Sequence, residues 1–239
     1  MKFAAKDKRY LDRRRAYSEK TGPQELWSMI DHWPLYAGTA NIGRFLAISD
    51  LLRSTLTVPG HVVEFGSWRG ANLLFMTKLL NIFDPHGSKI VHCFDSFEGL
   101  TTFSAEDGVE ADTTRGSYAG SFDELLEMIA LYELQDDIVL HKGLIQDTLL
   151  PVLSENEGLT FSFIYCDTDL FEPTKIILES LHGRLAKGGL FVFDQWNDAR
   201  WPGEGVAANE FMREYGEFYE ARHVSHARQP TLVLKRIQV

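Results

Sequence analysis

Residues 161–195 read FSFIYCDTDLFEPTKIILESLHGRLAKGGLFVFDQ, and this stretch limits the folds open to the chain. Two apolar runs, 161–166 and 190–193, each stop at an acid, Asp167 and Asp194. Between them lie a segment of helical periodicity and a Lys-Gly-Gly sequence that reads as a turn. Strand, helix and strand in that order make a parallel pair. The carboxyl edge of such a pair is where ligands bind in open α/β sheets. Each acid stands one residue past its apolar run, so neither is expected in the core. Together they offer hard oxygen ligands to a divalent cation such as Mg²⁺, and Gln195 adds a carbonyl oxygen. Asp169 is placed to act as a base or as an acceptor beside the ion. Each Asp taken alone could equally cap a turn.

The rest of the chain is consistent with that unit. Residues 1–57 show helical patterning, interrupted at Trp33-Pro34, with a helix expected over 41–55. Val58-Pro59-Gly60 reads as a hinge. It divides a helical N-terminal extension, 1–57, from a main domain, 58–239. Strands are then expected at 61–65, 89–94, 138–141, 161–166 and 190–193. Helices are expected at 71–82, 122–134, 147–153, 174–185 and 206–215. Extended runs at 217–224 and 231–235 read as a closing hairpin. This alternation predicts an α/β fold, a mostly parallel sheet with helices on both faces. Residues 99–120 lack periodicity, and a loop of that length in a compact domain is usually a functional lid or disordered.

Composition narrows the partners. A net charge of −10 opposes general binding to nucleic acid. The basic residues near the start are interleaved with Asp7 and Asp12, as on a solvated helix face. No apolar run approaches the length of a membrane span, and the opening MKFAAKDKRY lacks a leader's apolar core. Cys93 and Cys166 end strand runs and read as buried thiols, which suits a reducing cytoplasm. The N-terminal segment with Trp27 and Trp33 could pack on a second subunit, giving a homo-oligomer, or on its own core.

Three strand ends carry further candidates. Glu64-Phe65-Gly66-Ser67-Trp68-Arg69-Gly70 forms the first strand-to-helix turn. Its two glycines permit a tight turn and close approach of a ligand. The third glycine of a dinucleotide fingerprint is missing, so the turn suits a nucleoside with an amino-acid tail, or is purely structural. Asp95, followed by Ser96, ends the second strand 25 residues after Gly70, where an acid holds ribose hydroxyls or caps a turn. Asp147, within Gln146-Asp147-Thr148, could meet an adenine edge or cap the next helix.

The motifs VVEFGSWRGAN, HCFDSFEGL, GLIQDTLLPVL, the 161–195 stretch and PGEGVAANEF together resemble the macrocin O-methyltransferase family. That resemblance implies a Rossmann-like class I methyltransferase with a seven-stranded sheet. It also implies S-adenosylmethionine and Mg²⁺ as cofactors and a sugar hydroxyl of a small molecule as acceptor. Carried over by position, Glu64, Gly66, Arg69 and Gly70 would line the methionine end of the cofactor, with Thr39 and Arg44 in the segment covering it. Asp95 and Ser96 would hold the ribose. Asp167, Asp194 and Gln195 would bind the metal, with Asp167 or Asp169 as base. The family usually has two acids after the fifth strand, where this chain has Asp194-Gln195. Trp196, Arg200 and Trp201 are candidate acceptor contacts. The competing expectations are a catechol-like acceptor, or a non-catalytic protein that binds the donor without turnover.

Overall fold

The computed structural model describes residues 4–23, 25–108 and 111–238. Its contacts divide the chain into two compact units, Met1–Gly43 and Arg44–Val239.

The first unit is helical. It holds α1 (Ala4–Thr21), α2 (Leu26–Asp31), α3 (Trp33–Tyr36) and the opening of α4 (Thr39–Arg53). Glu25 caps α2, accepting from the Trp27 and Ser28 amides at 3.1 and 2.7 Å. Pro34 sits in the first turn of α3, where its missing N–H costs nothing.

The second unit is built on seven strands: β1 (His61–Phe65), β2 (Val91–Asp95), β3 (Ile138–Lys142), β4 (Phe161–Cys166), β5 (Leu185–Phe193), β6 (Tyr219–His223) and β7 (Leu232–Arg236). Their order is β3-β2-β1-β4-β5-β7-β6. β1 to β5 run parallel, and β7 runs antiparallel to both β5 and β6. The expected α/β architecture and closing hairpin are therefore present. Helices α5 (Ala71–Phe83), α6 (Phe122–Leu131), α7 (Ile145–Glu155), α8 (Phe171–Leu181) and α9 (Pro202–Tyr215) cover the sheet. Alternation along the strands feeds two cores. Val62, Phe163 and Tyr165 join Leu52, Leu73, Met76 and Leu125 on one face. Phe65, Ile164 and Cys166 join Leu149, Ile177 and Phe211 on the other. A sheet covered on both faces needs apolar residues on both sides of each strand, hence continuous runs such as FSFIYC. Each such side chain, fully buried, contributes about 1.5–3 kcal/mol. Both cysteines are buried free thiols. No helix of the described residues is long and apolar enough to cross a membrane.

Among the boundaries that differ from expectation, two strand starts have clear physical reasons. The Lys-Gly-Gly at 187–189 is not a turn before the strand but lies inside β5. Pairing with β4 jumps there from Phe161–Leu185 to Phe163–Leu190, a bulge with Gly188 at φ +89°. β2 starts at Val91 rather than 89 because Lys89 turns its ammonium to the Val58 and Gly60 carbonyls and the Ser162 hydroxyl, at 2.5, 2.7 and 2.9 Å.

On β2 and β3, His92 Nδ1 lies 3.0 Å from His141 Nε2, and the two rings stack 2° from parallel. Burial first, then His141 and His61, push the His92 pKa down to about 4. In the unfolded chain His92 takes its proton near 6.5. Its neutral form therefore supports the fold fully above that pH, and the support is lost as pH falls from 6.5 toward 4. The loss should reach at most about 3 kcal/mol. Urea midpoints measured across this window should fall less steeply for His92→Gln than for the unaltered protein.

Candidate functional site

The parallel strands end on one edge, and backbone bonds past their ends bring the following turns side by side. The Asp167 amide donates to Phe65 O at 2.9 Å, the Asp194 amide to Cys166 O at 3.0 Å, and the Gly66 amide to Phe94 O at 3.0 Å. Gly66 takes φ +79°, and a Cβ there would lie 2.0 Å from Asp167 O. Only glycine lets the turn after β1 approach β4 so closely.

Asp167 and Asp194 stand next to each other at this edge, and Arg44 lies across both. Its Nη2 is 2.6 Å from Asp167 Oδ2 and 2.8 Å from Asp194 Oδ1. Tyr165 donates its hydroxyl to the same Asp194 oxygen at 2.6 Å. Asp194 is 1% exposed, and its Oδ2 has no hydrogen-bond partner among the described residues. Asp169 is also buried, at φ +61°, with Oδ1 unpartnered in the same sense. Glu204, in the first turn of α9, accepts from the Gln195 amide at 2.8 Å, and its second oxygen is unpartnered too.

The acids outnumber the cation beside them, and their ionisation reflects it. Burial first, then Asp194, push the Asp167 carboxyl well up against the pull of Arg44. Burial and Asp194 raise Asp169 to about 7, with Arg200 and Arg44 opposing. Burial raises Asp194 as well, opposed by Arg44 and Tyr165. Burial alone would lower the Arg44 pKa, but Tyr165, Asp194 and Asp167 drive it up, so the guanidinium stays charged. Glu64 lies wholly inside the protein, and burial pushes it up to about 8.

Arg44, Asp167, Asp169 and Asp194 face a cavity of about 340 Å³. Its walls include Arg44, Gly66, Asp95, Ser96, Asp167, Asp169, Asp194 and Gln195, with Arg200 and Trp201 among the further lining residues. Thus most of the candidates named from sequence come together. Five candidates of the second unit do not line it. Arg69 points to the surface, where it pairs with Glu124 at 2.5 Å. Gly70 caps α5 in the left-handed region. Glu64 is sealed under the turn. Asp147 is exposed on α7, and its neighbour Gln146 lines the cavity instead. Trp196 packs against the core and donates Nε1–H to Asn209 at 3.1 Å. Thr39 belongs to the first unit, exposed at the start of α4.

Asp95 is occupied by the protein itself. Oδ2 accepts from the Ser67 and Trp68 amides at 2.7 and 2.8 Å, and Oδ1 from the Phe97 amide at 2.6 Å. Each oxygen has two lone pairs, so Oδ1 can still accept one bond.

Sequence reasoning missed Tyr165, Glu204 and Asp107. The segment expected to be an irregular loop, 99–120, contains 3-10 turns at Ala105–Asp107 and Ala111–Thr114. Asp107 fastens it. Oδ2 accepts from the Ser104 amide and hydroxyl at 2.7 and 3.0 Å, and Oδ1 from the Phe171 amide, the first of α8, at 2.7 Å. The acid thus satisfies an otherwise open helix N-terminus. Gly203 leaves room for it, since a Cβ there would sit 1.9 Å from Asp107 Oδ1. The Ser104-x-x-Asp107 spacing of a capping box was the available signal.

Comparison with known proteins gives a consistent picture. Residues 6–217 match the family model described as Macrocin-O-methyltransferase (TylF). The 8-demethyl-8-(2,3-dimethoxy-alpha-L-rhamnosyl)-tetracenomycin-C 4'-O-methyltransferase of Streptomyces olivaceus is 32% identical over 147 residues, 58% of this chain and 54% of that enzyme. The match therefore spans about half the length of that relative. The demethyldecarbamoylnovobiocin O-methyltransferase of Streptomyces niveus is 27% identical over 76% of this chain and 71% of its own. The crystal structure of CalS11, a calicheamicin methyltransferase, superposes with a TM-score of 0.80 at 26% identity, covering 94% of this chain and 90% of that one. Its apo form is described as a TDP-rhamnose 3'-O-methyltransferase.

Removing the Asp107 carboxylate leaves the part-buried Ser104 amide and the buried Phe171 amide unpaired, the latter at a cost of about 1–3 kcal/mol. Asp107→Ala should therefore free the 99–120 segment, seen as several-fold faster limited proteolysis within it while the sheet core resists.

Proposed function

The chain belongs to the macrocin O-methyltransferase family, and we propose that it transfers a methyl group from S-adenosylmethionine to a sugar hydroxyl of a small molecule. The observation that carries this reading is the convergence on one cavity of the Gly66 turn, the Asp95-Ser96 strand end and the acids Asp167, Asp169 and Asp194. A nucleoside with an amino-acid tail fits this lining. Asp95 Oδ1 and the Ser96 hydroxyl suit ribose hydroxyls. Leu144 and Ile145 offer an apolar surface to a base, with Gln146 at its polar edge. The sugar acceptor follows from the rhamnosyl and TDP-rhamnose enzymes among the relatives.

When bound, S-adenosylmethionine supplies an electrophilic sulfonium methyl. The protein's part is to orient the acceptor, take its proton and exclude water. Asp169 lies buried in the cavity wall with one oxygen free of hydrogen bonds among the described residues, which suits it to receive the hydroxyl proton. Asp167 is the second carboxylate within this group. Trp201, Arg200 and Tyr118, from the segments on either side, would hold the acceptor. The anchored 99–120 segment keeps water from that side.

A hard divalent cation also fits the acids. Asp167 and Asp194 offer carboxylate oxygens, Asp194 Oδ2 lacks a partner among the described residues, and the Gln195 carbonyl is adjacent. No three His, Cys, Asp or Glu side chains of the described residues converge as ligands. That donor set suits Mg²⁺, which keeps waters and substrate oxygens in its shell. Such an ion would lower the pKa of a hydroxyl bound to it.

Titration with S-adenosylmethionine should show saturable binding, and methyl transfer should favour nucleotide-linked or glycosidic deoxysugars over catechols. Absence of donor binding would sink the reading. Asn is among the few residues that tolerate the φ of +61° at position 169. Asp169→Asn should therefore fold, bind the donor within about threefold of the unaltered protein, and lose roughly 10²-fold or more in kcat.

A further inference from the structure

We propose that Arg44 is a built-in rival of the divalent cation: its guanidinium holds the cation position between Asp167 and Asp194, and a metal ion binds only when Arg44 is displaced. The inference deepens the proposed reading of this site.

The geometry is one of mutual exclusion. A single nitrogen, Nη2, lies 2.6 Å from one acid and 2.8 Å from the other. A Mg²⁺ ion shared by the two acids would need oxygens at about 2.0–2.1 Å. Bound through those two oxygens, it would have to stand where that nitrogen stands. Asp194 Oδ1 is further engaged by the Tyr165 hydroxyl at 2.6 Å, so neither the oxygen nor the space beside it is free.

The site is nevertheless short of positive charge. Asp194 Oδ2 and Asp169 Oδ1 are buried with no hydrogen-bond partner among the described residues. One guanidinium does not satisfy three acids. Withdrawing it would leave a closely spaced carboxylate pair in a place that is 1% exposed at Asp194, and a small divalent ion is the cation able to restore balance there.

Arg44 is also equipped to leave. Its side chain is 25% exposed and forms part of the cavity wall. Its Nε is buried without a partner among the described residues, so the head is not held by a full set of bonds. Gln195, beside Asp194, contributes no charge that would tip the contest toward the metal.

The test is Mn²⁺ binding to the full chain without donor or acceptor, followed by loss of the free-ion electron paramagnetic resonance signal. Arg44→Gln should bind one Mn²⁺ at least tenfold more tightly than the unaltered protein, and Asp194→Asn added to it should abolish the gain. Arg44→Lys keeps the charge but loses the fork, and should fall between the two. It serves as the reporting variant if Arg44→Gln does not fold. Equal Mn²⁺ affinity in the unaltered protein and the folded variants would overturn the proposal. So would a gain that survives Asp194→Asn. These outcomes do not depend on methyl transfer, so a chain that binds donor but methylates nothing would overturn the functional reading alone.

Discussion

Two carboxylates forced together by strand geometry are the constraint around which the site is arranged. β4 and β5 are parallel neighbours, in register from Phe163–Leu190 to Cys166–Phe193, so the residues that follow each strand must also be neighbours. When both are acids the edge carries a repulsion that the fold itself creates. Arg44 relieves it from α4, and Tyr165 relieves it from inside β4. Breaking one partner of a buried ion pair commonly costs about 3–5 kcal/mol, because the remaining charge is left uncompensated. The arrangement is therefore a structural necessity before it is a chemical one. Its chemistry arises from the remainder, the carboxylate oxygens that Arg44 and Tyr165 do not reach.

The walls around this group depend on places where a side chain is absent. Gly66 lets the β1 turn meet the β4 turn, and Gly203 lets Asp107 reach the start of α8. The second of these links three distant parts of the chain: the long segment after β2, the helix after β4 and the helix after β5. A residue with no place in the reaction thus determines how the cavity is roofed. The connection runs through an acid that meets a helix amide on one side and its own turn on the other.

The sheet was legible because its signal is repeated. Strands β1, β2, β4, β5 and β7 each place core residues on both faces, and the acids that end β2, β4 and β5 mark the ligand edge without any knowledge of contacts. The orientation of single side chains was not legible. Arg69 follows a glycine turn at a binding edge, yet it turns outward to Glu124, since nothing in local sequence says which side of a turn a long side chain takes. Tyr165 was hidden because a tyrosine within FSFIYC reads as apolar packing, and its hydroxyl partner is 29 residues away. The glycines at 188 and 189 read as a turn because a bulge and a turn ask for the same residue type.

Asp95 adds one consequence. Its two oxygens draw in three amides, two from the turn after β1 and one from its own, before any ligand arrives. Those segments would otherwise sample many conformations, and ordering each residue costs about 1–2 kcal/mol of backbone entropy. That ordering is completed during folding. An incoming nucleoside then meets a rigid contour, and its binding free energy is not diminished by the need to shape the turn.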